Sequence, residues 1–250
     1  MSLTDFLPPD LDPRLALALV GLSLVTSLIT ATFSLGGGTL MLVVLALAFP
    51  PAVVVPLHGA IQLGSTAGRA VVQRHHIQWG YVRWIALGAV IGTIVGGQFA
   101  KLLPEQLFTA LIGLFVLIST WLPQPKIVGR SPLVQVLGGG IISALSMLVG
   151  ATGPLVAVFL KAIPDRQQLV ATHATLMTIQ NTFKVLVFVA LGFAFASYLP
   201  LLVAMIVSGF IGTSIGSRLL VKVPEVAFRW GFKLILSLVA LDLLRSAIWP

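Results

Sequence analysis

Four polar side chains, His58, Gln62, Ser65 and Arg69, punctuate an otherwise apolar run at positions i, i+4, i+7 and i+11. On a helix this spacing gathers them on one face, because eleven steps of about 100° return to within roughly 20° of the start. At a rise of ~1.5 Å per residue, His58 and Arg69 then stand about 16 Å apart along the axis. An imidazole, an amide, a hydroxyl and a guanidinium on one seam can bind a small anion, carry a proton or tie helices together. Charge this deep in apolar sequence is costly and marks function by default. The stripe recurs 115 positions later as His173, Met177, Gln180 and Lys184, with Asn181 beside Gln180. Histidine meets histidine and arginine meets lysine, so the chain carries a degenerate second copy.

Each stripe follows a glycine-bearing break and a short apolar run. The first break is Gly36-Gly37-Gly38-Thr39, and its run, residues 39–49, ends at Pro50-Pro51. The second is Gly150-Ala151-Thr152-Gly153-Pro154, and its run ends at Pro164-Asp165. Eleven helical residues cover about 16 Å of a ~30 Å hydrocarbon core. The run must therefore be re-entrant, half of a broken helix, or exposed to a water-filled cavity. A helix that starts at such a break points about half a positive charge into the cavity. Two of these starts, at Thr39 and Pro154, together with Arg69, Lys184, His58 and His173, argue for an anionic ligand.

The expected cradle is residues 36–39 (Gly36, Gly37, Gly38, Thr39) and 151–154 (Ala151, Thr152, Gly153, Pro154). Gln62, Ser65, Gln180 and Asn181 supply neutral donors. Arg69 and Lys184 attract the anion or guard the exits, although either can instead snorkel to a membrane surface. His58 and His173 are the candidates for a coupled proton, since histidine titrates near physiological pH. Without a partner ligand they are also ordinary interhelical hydrogen-bonders. No cofactor motif is present, and His75-His76, with no third ligand nearby, makes a poor metal site.

Composition sets the frame. The 250 residues are 58% hydrophobic and 9% charged, against roughly 25% charged in a soluble domain. Several runs are long enough to span a bilayer, so the fold class is an all-α polytopic membrane protein in a single membrane domain. The net charge of +8 is scattered over loops rather than clustered, which argues against nucleic acid as a partner and for the lipid bilayer. Cysteine is absent. Asp5, Asp10 and Asp12 precede the first apolar run, so no signal peptide is expected.

Taken in order, helical segments are expected at 14–34, 39–49, 52–73, 81–100 and 105–121, and after a linker at 123–132 they repeat at 133–149, 154–163, 166–191, 200–221 and 226–249. Repeat one covers about 14–122 and repeat two about 133–249. Beyond the stripes the offset becomes 120, and Gly92, Gly96, Pro104, Glu105 and Phe108 answer Gly212, Gly216, Pro224, Glu225 and Phe228. The ladders Gly88/Gly92/Gly96 and Ser208/Gly212/Gly216 suit close helix packing.

Loop charge gives the relative orientation. Arg74, His75, His76 and Arg83 follow the first stripe, whereas residues 192–199 carry no charge. Residues 101–105 are neutral overall, while their counterpart carries Arg218, Lys222, Glu225 and Arg229. The basic excess changes sides, so the repeats are inverted, with five segments each, two of them short, and 8–10 transmembrane segments in all. Inverted repeats with discontinuous helices are a secondary-transporter architecture, with substrate near the midplane.

The breaks Ser34-Leu35-Gly36-Gly37-Gly38-Thr39 and Gly150-Ala151-Thr152-Gly153-Pro154-Leu155, with the ladders at 92–97 and 212–217 and their Pro-Glu turns, resemble the sulfite exporter TauE/SafE family from about residue 15 to 245. The second break departs from a Gly-Gly-Gly pattern. The resemblance implies a transporter of sulfite, organosulfonates or related small anions in the bacterial cytoplasmic membrane, and no enzymatic activity. The alternatives are an anion channel and an intramembrane lipid-phosphate enzyme. The enzyme lacks support, because phosphoryl chemistry normally needs a carboxylate and only Asp242 lies within an expected helix, near its end with Arg245 as partner.

Overall fold

The computed structural model describes residues 11–33, 36–122, 131–219 and 225–249. These residues form ten α-helices and no strand. The first five are α1 (Pro13–Phe33), α2 (Gly37–Ala48), α3 (Pro51–Val72), α4 (Trp79–Leu102) and α5 (Glu105–Trp121). The second five are α6 (Pro132–Val149), α7 (Gly153–Phe159), α8 (Arg166–Ala190), α9 (Leu199–Leu219) and α10 (Glu225–Ile248). The acidic tail of residues 1–10, Ser34 and Leu35, most of the linker expected at 123–132, and the turn with Lys222 and Pro224 lie outside the described residues.

Proline and aspartate set the helix starts. Pro50 caps α3 with Pro51 at the first helical position, and Pro132 opens α6 in the same way, where a missing N–H costs nothing. The Asp165 carboxylate accepts from the Gln168 N–H at 2.8 Å and opens α8. Asp12 accepts from Arg14 N–H at 2.7 Å at the head of α1.

Which residues meet gives the helix directions. Glycines 88, 92 and 96 of α4 lie against the backbone of Val136, Gly140 and Ala144 of α6, in ascending order. Gly212 and Gly216 of α9 lie against Leu24 and Leu28 of α1, also ascending. These two pairs are parallel, and a Cβ at Gly88, Gly92 or Gly212 would collide with a carbonyl of the facing helix. Equivalent helices run the other way. His58 sits beside Lys184 and Arg69 beside His173, so α3 and α8 are antiparallel. Gly113 meets Ala240 while Trp121 meets Trp230, so α5 and α10 are antiparallel too. Exchanging the two sets of five helices maps the α4–α6 contact onto α9–α1 and reverses α3 against α8 and α5 against α10, which is the inverted repeat.

α3 and α8 cross at the centre. Around them a core of Met41, Leu42, Leu45, Val54, Val55, Leu57, Ile61, Met147 and Met205 is buried. Large apolar side chains such as Leu87, Ile91, Ile141, Val207, Phe210 and Leu238 point outward, as a bilayer requires. By length and hydropathy four helical stretches qualify as full spans: Pro13–Ala31, Trp79–Leu102, Pro132–Val149 and Phe195–Gly216. α3 and α8 are long enough as well, but their polar stripes lower their hydropathy, and they lie inside the bundle where that stripe avoids lipid.

The expected segments are found within a residue or two, with one exception. The run expected to be helical over 154–163 is helical only from Gly153 to Phe159. Residues 160–163 turn tightly, with Ile163 N–H donating to Leu160 O at 2.9 Å. The cause is Pro164, which disfavours helical backbone in the residue before it. The Asp242–Arg245 pair forms at 2.6 Å on the exposed end of α10.

Candidate functional site

Two residues with positive φ make the breaks: Gly36 (φ 102°) and Gly150 (φ 82°). Only glycine takes these values without strain. They are not equivalent in the repeat, since Gly36 matches Ala151 at the 115-residue offset; the second hinge bends one residue earlier. Gly37 and Gly38 are therefore the first residues of α2 rather than hinge residues. Close packing accounts for Gly37, whose Cβ would strike the Thr26 carbonyl, and for Gly38, whose Cβ would strike the Gln62 amide.

The histidines perform the same task in both copies. His58 Nε2 donates to Gly38 O at 2.9 Å, and His173 Nε2 donates to Gly153 O at 3.0 Å. Each imidazole thus pins the first turn of the short helix to the long helix that follows it. His58 Nδ1 is buried and has no partner.

Between the two hinges lies a cavity of about 50 Å³. Gly36, Gly38, Thr39, His58, Gln62 and Arg69 line it from the first repeat, and Ala151, Gly153, Pro154 and His173 from the second. Thr30, Thr66 and Met177 complete the wall. Donors are few. The Thr30 and Thr66 hydroxyls donate back to Thr26 O (2.9 Å) and Gln62 O (2.7 Å), leaving only lone pairs for the cavity. The Gln62 amide, the Arg69 guanidinium, the Thr39 hydroxyl and the uncapped first-turn N–H groups of α2 remain. Arg69 is held by a long Nε contact to Ser65 O, 3.4 Å. No carboxylate lines this cavity.

The second repeat's polar residues are disposed differently. Gln180 Nε2 donates to Ser143 Oγ at 2.9 Å and lies 3.3 Å from Thr152 Oγ1, which ties α8 to α6 and to the hinge. Lys184 is fully buried; its Nζ donates to Gly150 O at 2.6 Å and its chain lies on Gly59. This removes the expectation that Lys184 snorkels outward, because the side chain folds back onto the hinge carbonyl. Asn181 is buried as well, and neither its amide nitrogen nor its oxygen has a partner. Gly37, Ser65, Thr152, Gln180, Asn181 and Lys184 are thus near the cavity without lining it.

The expectation of two positive helix ends also needs adjustment. α2 has twelve residues, but α7 has seven, two turns, so its dipole is small and it contributes chiefly a backbone wall.

A family model described as Sulfite exporter TauE/SafE matches residues 19–243. The chain belongs to the TauE/SafE family. No significant match was found among curated proteins or among solved structures. The matched span contains both hinges and both stripes, so the cavity of this TauE/SafE protein is built wholly from family sequence. TauE/SafE is a family of membrane transporters, and the chain is a multi-pass membrane protein of that kind.

Three lining residues, Thr30, Thr66 and Met177, fell outside the expected site. Thr30 bore no mark of the stripe, yet the equivalent contacts of Gly92 on Gly140 and Gly212 on Leu24 align it with Ser146, another hydroxyl in the last turn before a hinge, whose Oγ donates to Gly150 O at 3.3 Å. Met177 appeared only as the apolar counterpart of Gln62. It gives the cavity one polar and one thioether wall.

Proposed function

We propose that this protein moves a compact oxyanion of the sulfite and sulfonate class across the bacterial cytoplasmic membrane by alternating access, binding it between residues 36–39 and 151–154. The observation that carries this reading is the cavity itself, in which one guanidinium, one amide and an uncapped helix start converge with no carboxylate opposite them. At about 10–15 Å³ of such volume per water, 50 Å³ holds roughly three to five water-sized groups. That is the scale of a four-atom anion, and charge-assisted bonds from Arg69 and Gln62 suit its oxygens. Inverted repeats meeting at the site give two related ways of closing around it. Both candidate proton carriers, His58 and His173, spend Nε2 on a first-turn carbonyl and keep Nδ1, so the pair is assigned to coupling.

The test is sulfite flux into proteoliposomes containing the purified protein, with Arg69→Gln and Gln62→Leu as variants. Saturable flux, reduced in both variants while they stay folded, supports the reading. Flux unaltered in both removes the cavity from the mechanism.

A further inference from the structure

A second, larger cavity of about 530 Å³ lies at the other end of α3. It is enclosed by the Pro50-Pro51 break, the end of α4 with Lys101, the start of α5 with Glu105 and Phe108, and the end of α8 with Phe188 and Leu191.

By the inverted symmetry, the α8 end of this cavity's wall (residues 188–193) has its counterpart in residues 73–78 at the opposite end of the molecule. There the connection from α3 to α4 closes on α8, with Gln78 N–H donating to Thr172 Oγ1 at 3.0 Å. The equivalent pair at the near end is Phe193 and Leu57. Phe193 lines the large cavity together with the Pro50-Pro51 start of α3. The end with the Gln78–Thr172 contact carries Arg74, His75, His76 and Arg83 and is cytoplasmic by the positive-inside rule, so the large cavity lies at the periplasmic end.

The face of α8 connects the two cavities. His173 and Met177 line the small one, and Phe188 and Leu191 the large one. Between them, at i+4, i+7 and i+11 from Met177, come Asn181, Lys184 and Phe188 on one helical face. Met177 and Phe188 are separated by about 16 Å of helix. Across that gap stand the only groups on this face able to hydrogen-bond an anion in transit: the unpartnered Asn181 amide and Lys184, latched to Gly150 O and next to His58.

We propose that the 530 Å³ cavity is the periplasmic mouth of the anion path and that Lys184, bonded to the Gly150 carbonyl, is the gate between it and the central site. This rests on the transport reading above. In passing, the anion takes Lys184 from the hinge carbonyl and the Asn181 amide as a second donor, so the hinge is freed only when an anion is there to replace it.

The absence of native cysteine permits a direct test. Single cysteines at Ala52 and Leu191 in the mouth, and at Met177 in the central cavity, are exposed in intact cells to a membrane-impermeant anionic thiosulfonate. With Lys184 present, Ala52→Cys and Leu191→Cys are labelled and Met177→Cys is not. Adding Lys184→Ala to Met177→Cys raises its labelling roughly tenfold, the effect of losing one buried hydrogen bond, while Lys184→Arg leaves it protected. If Lys184→Ala does not fold, a cysteine scan of α8 with Lys184 intact still locates the step in reactivity, expected between Met177 and Phe188. Mouth cysteines that label only in inverted vesicles, or Met177→Cys that labels freely beside native Lys184, overturn the proposal. Labelling needs no transported anion, so the predicted pattern without sulfite flux would refute the transport reading alone.

Discussion

Replacing Arg69 by glutamine tests the central cation with little cost to the fold. Its Nε contact to Ser65 O is long at 3.4 Å, and the side chain is only partly buried, so the ligand-free variant is expected to melt close to the parent. Binding is where the loss falls. At a sulfite concentration 100 times Kd, ligand binding stabilises the parent by about 2.7 kcal/mol. For a chain of this size that is a rise in Tm of roughly 5–11 °C. A hydrogen bond to a charged group contributes ~1.5–3 kcal/mol, so its loss weakens binding roughly 10- to 150-fold. At the same sulfite concentration the stabilisation falls to about 0.3–1.3 kcal/mol, a rise of roughly 1–5 °C. The assay is thermal unfolding of purified protein in detergent over a sulfite titration, with chloride held at matched ionic strength. An Arg69→Gln variant that shows the full parental shift would refute the assignment of Arg69 to the anion.

The remaining expectations concern the scaffold that places the site. Gly92→Ala adds a Cβ inside contact distance of the Gly140 carbonyl and should destabilise by about 1–3 kcal/mol or more, with Gly212→Ala against Leu24 O behaving alike; thermal unfolding of each reads this out. Gln180→Leu removes the 2.9 Å bond to Ser143 Oγ and should cost about 1–3 kcal/mol, whereas the double change with Ser143→Ala should recover part of it in the same measurement. His173→Phe frees the Gly153 carbonyl at the second hinge and should destabilise by about 1–3 kcal/mol in thermal unfolding; an unchanged midpoint would argue against the pinning role.

The inverted arrangement was readable from sequence because its signals are coarse and repeated. A histidine-to-cation spacing recurs, glycine ladders recur, and basic loops change sides. The geometry of the central residues was less readable. A buried lysine that folds back onto a carbonyl and one that snorkels outward have the same one-dimensional pattern, so only the packing of Lys184 on Gly59 decides between them. Likewise, Gly150 and Gly36 both bend the chain, but periodicity aligns Gly36 with Ala151, and the one-residue offset emerges only from the backbone angles. The length of α7 was overestimated because residues 160–163 are apolar enough to continue a helix, and the effect of Pro164 on its neighbour outweighed that pattern. Thr30 lay hidden because a single hydroxyl near a helix end carries no signal until the packing of equivalent helices matches it to Ser146.

The most direct measurement of the binding claim uses selenite, the heavier analogue of sulfite, soaked into crystals of the protein and located by anomalous scattering. A selenium peak between Gly38, Gln62, Arg69 and Gly153 is the predicted result. A peak at another place in a transport-competent protein, with this cavity empty at saturating selenite, would contradict it.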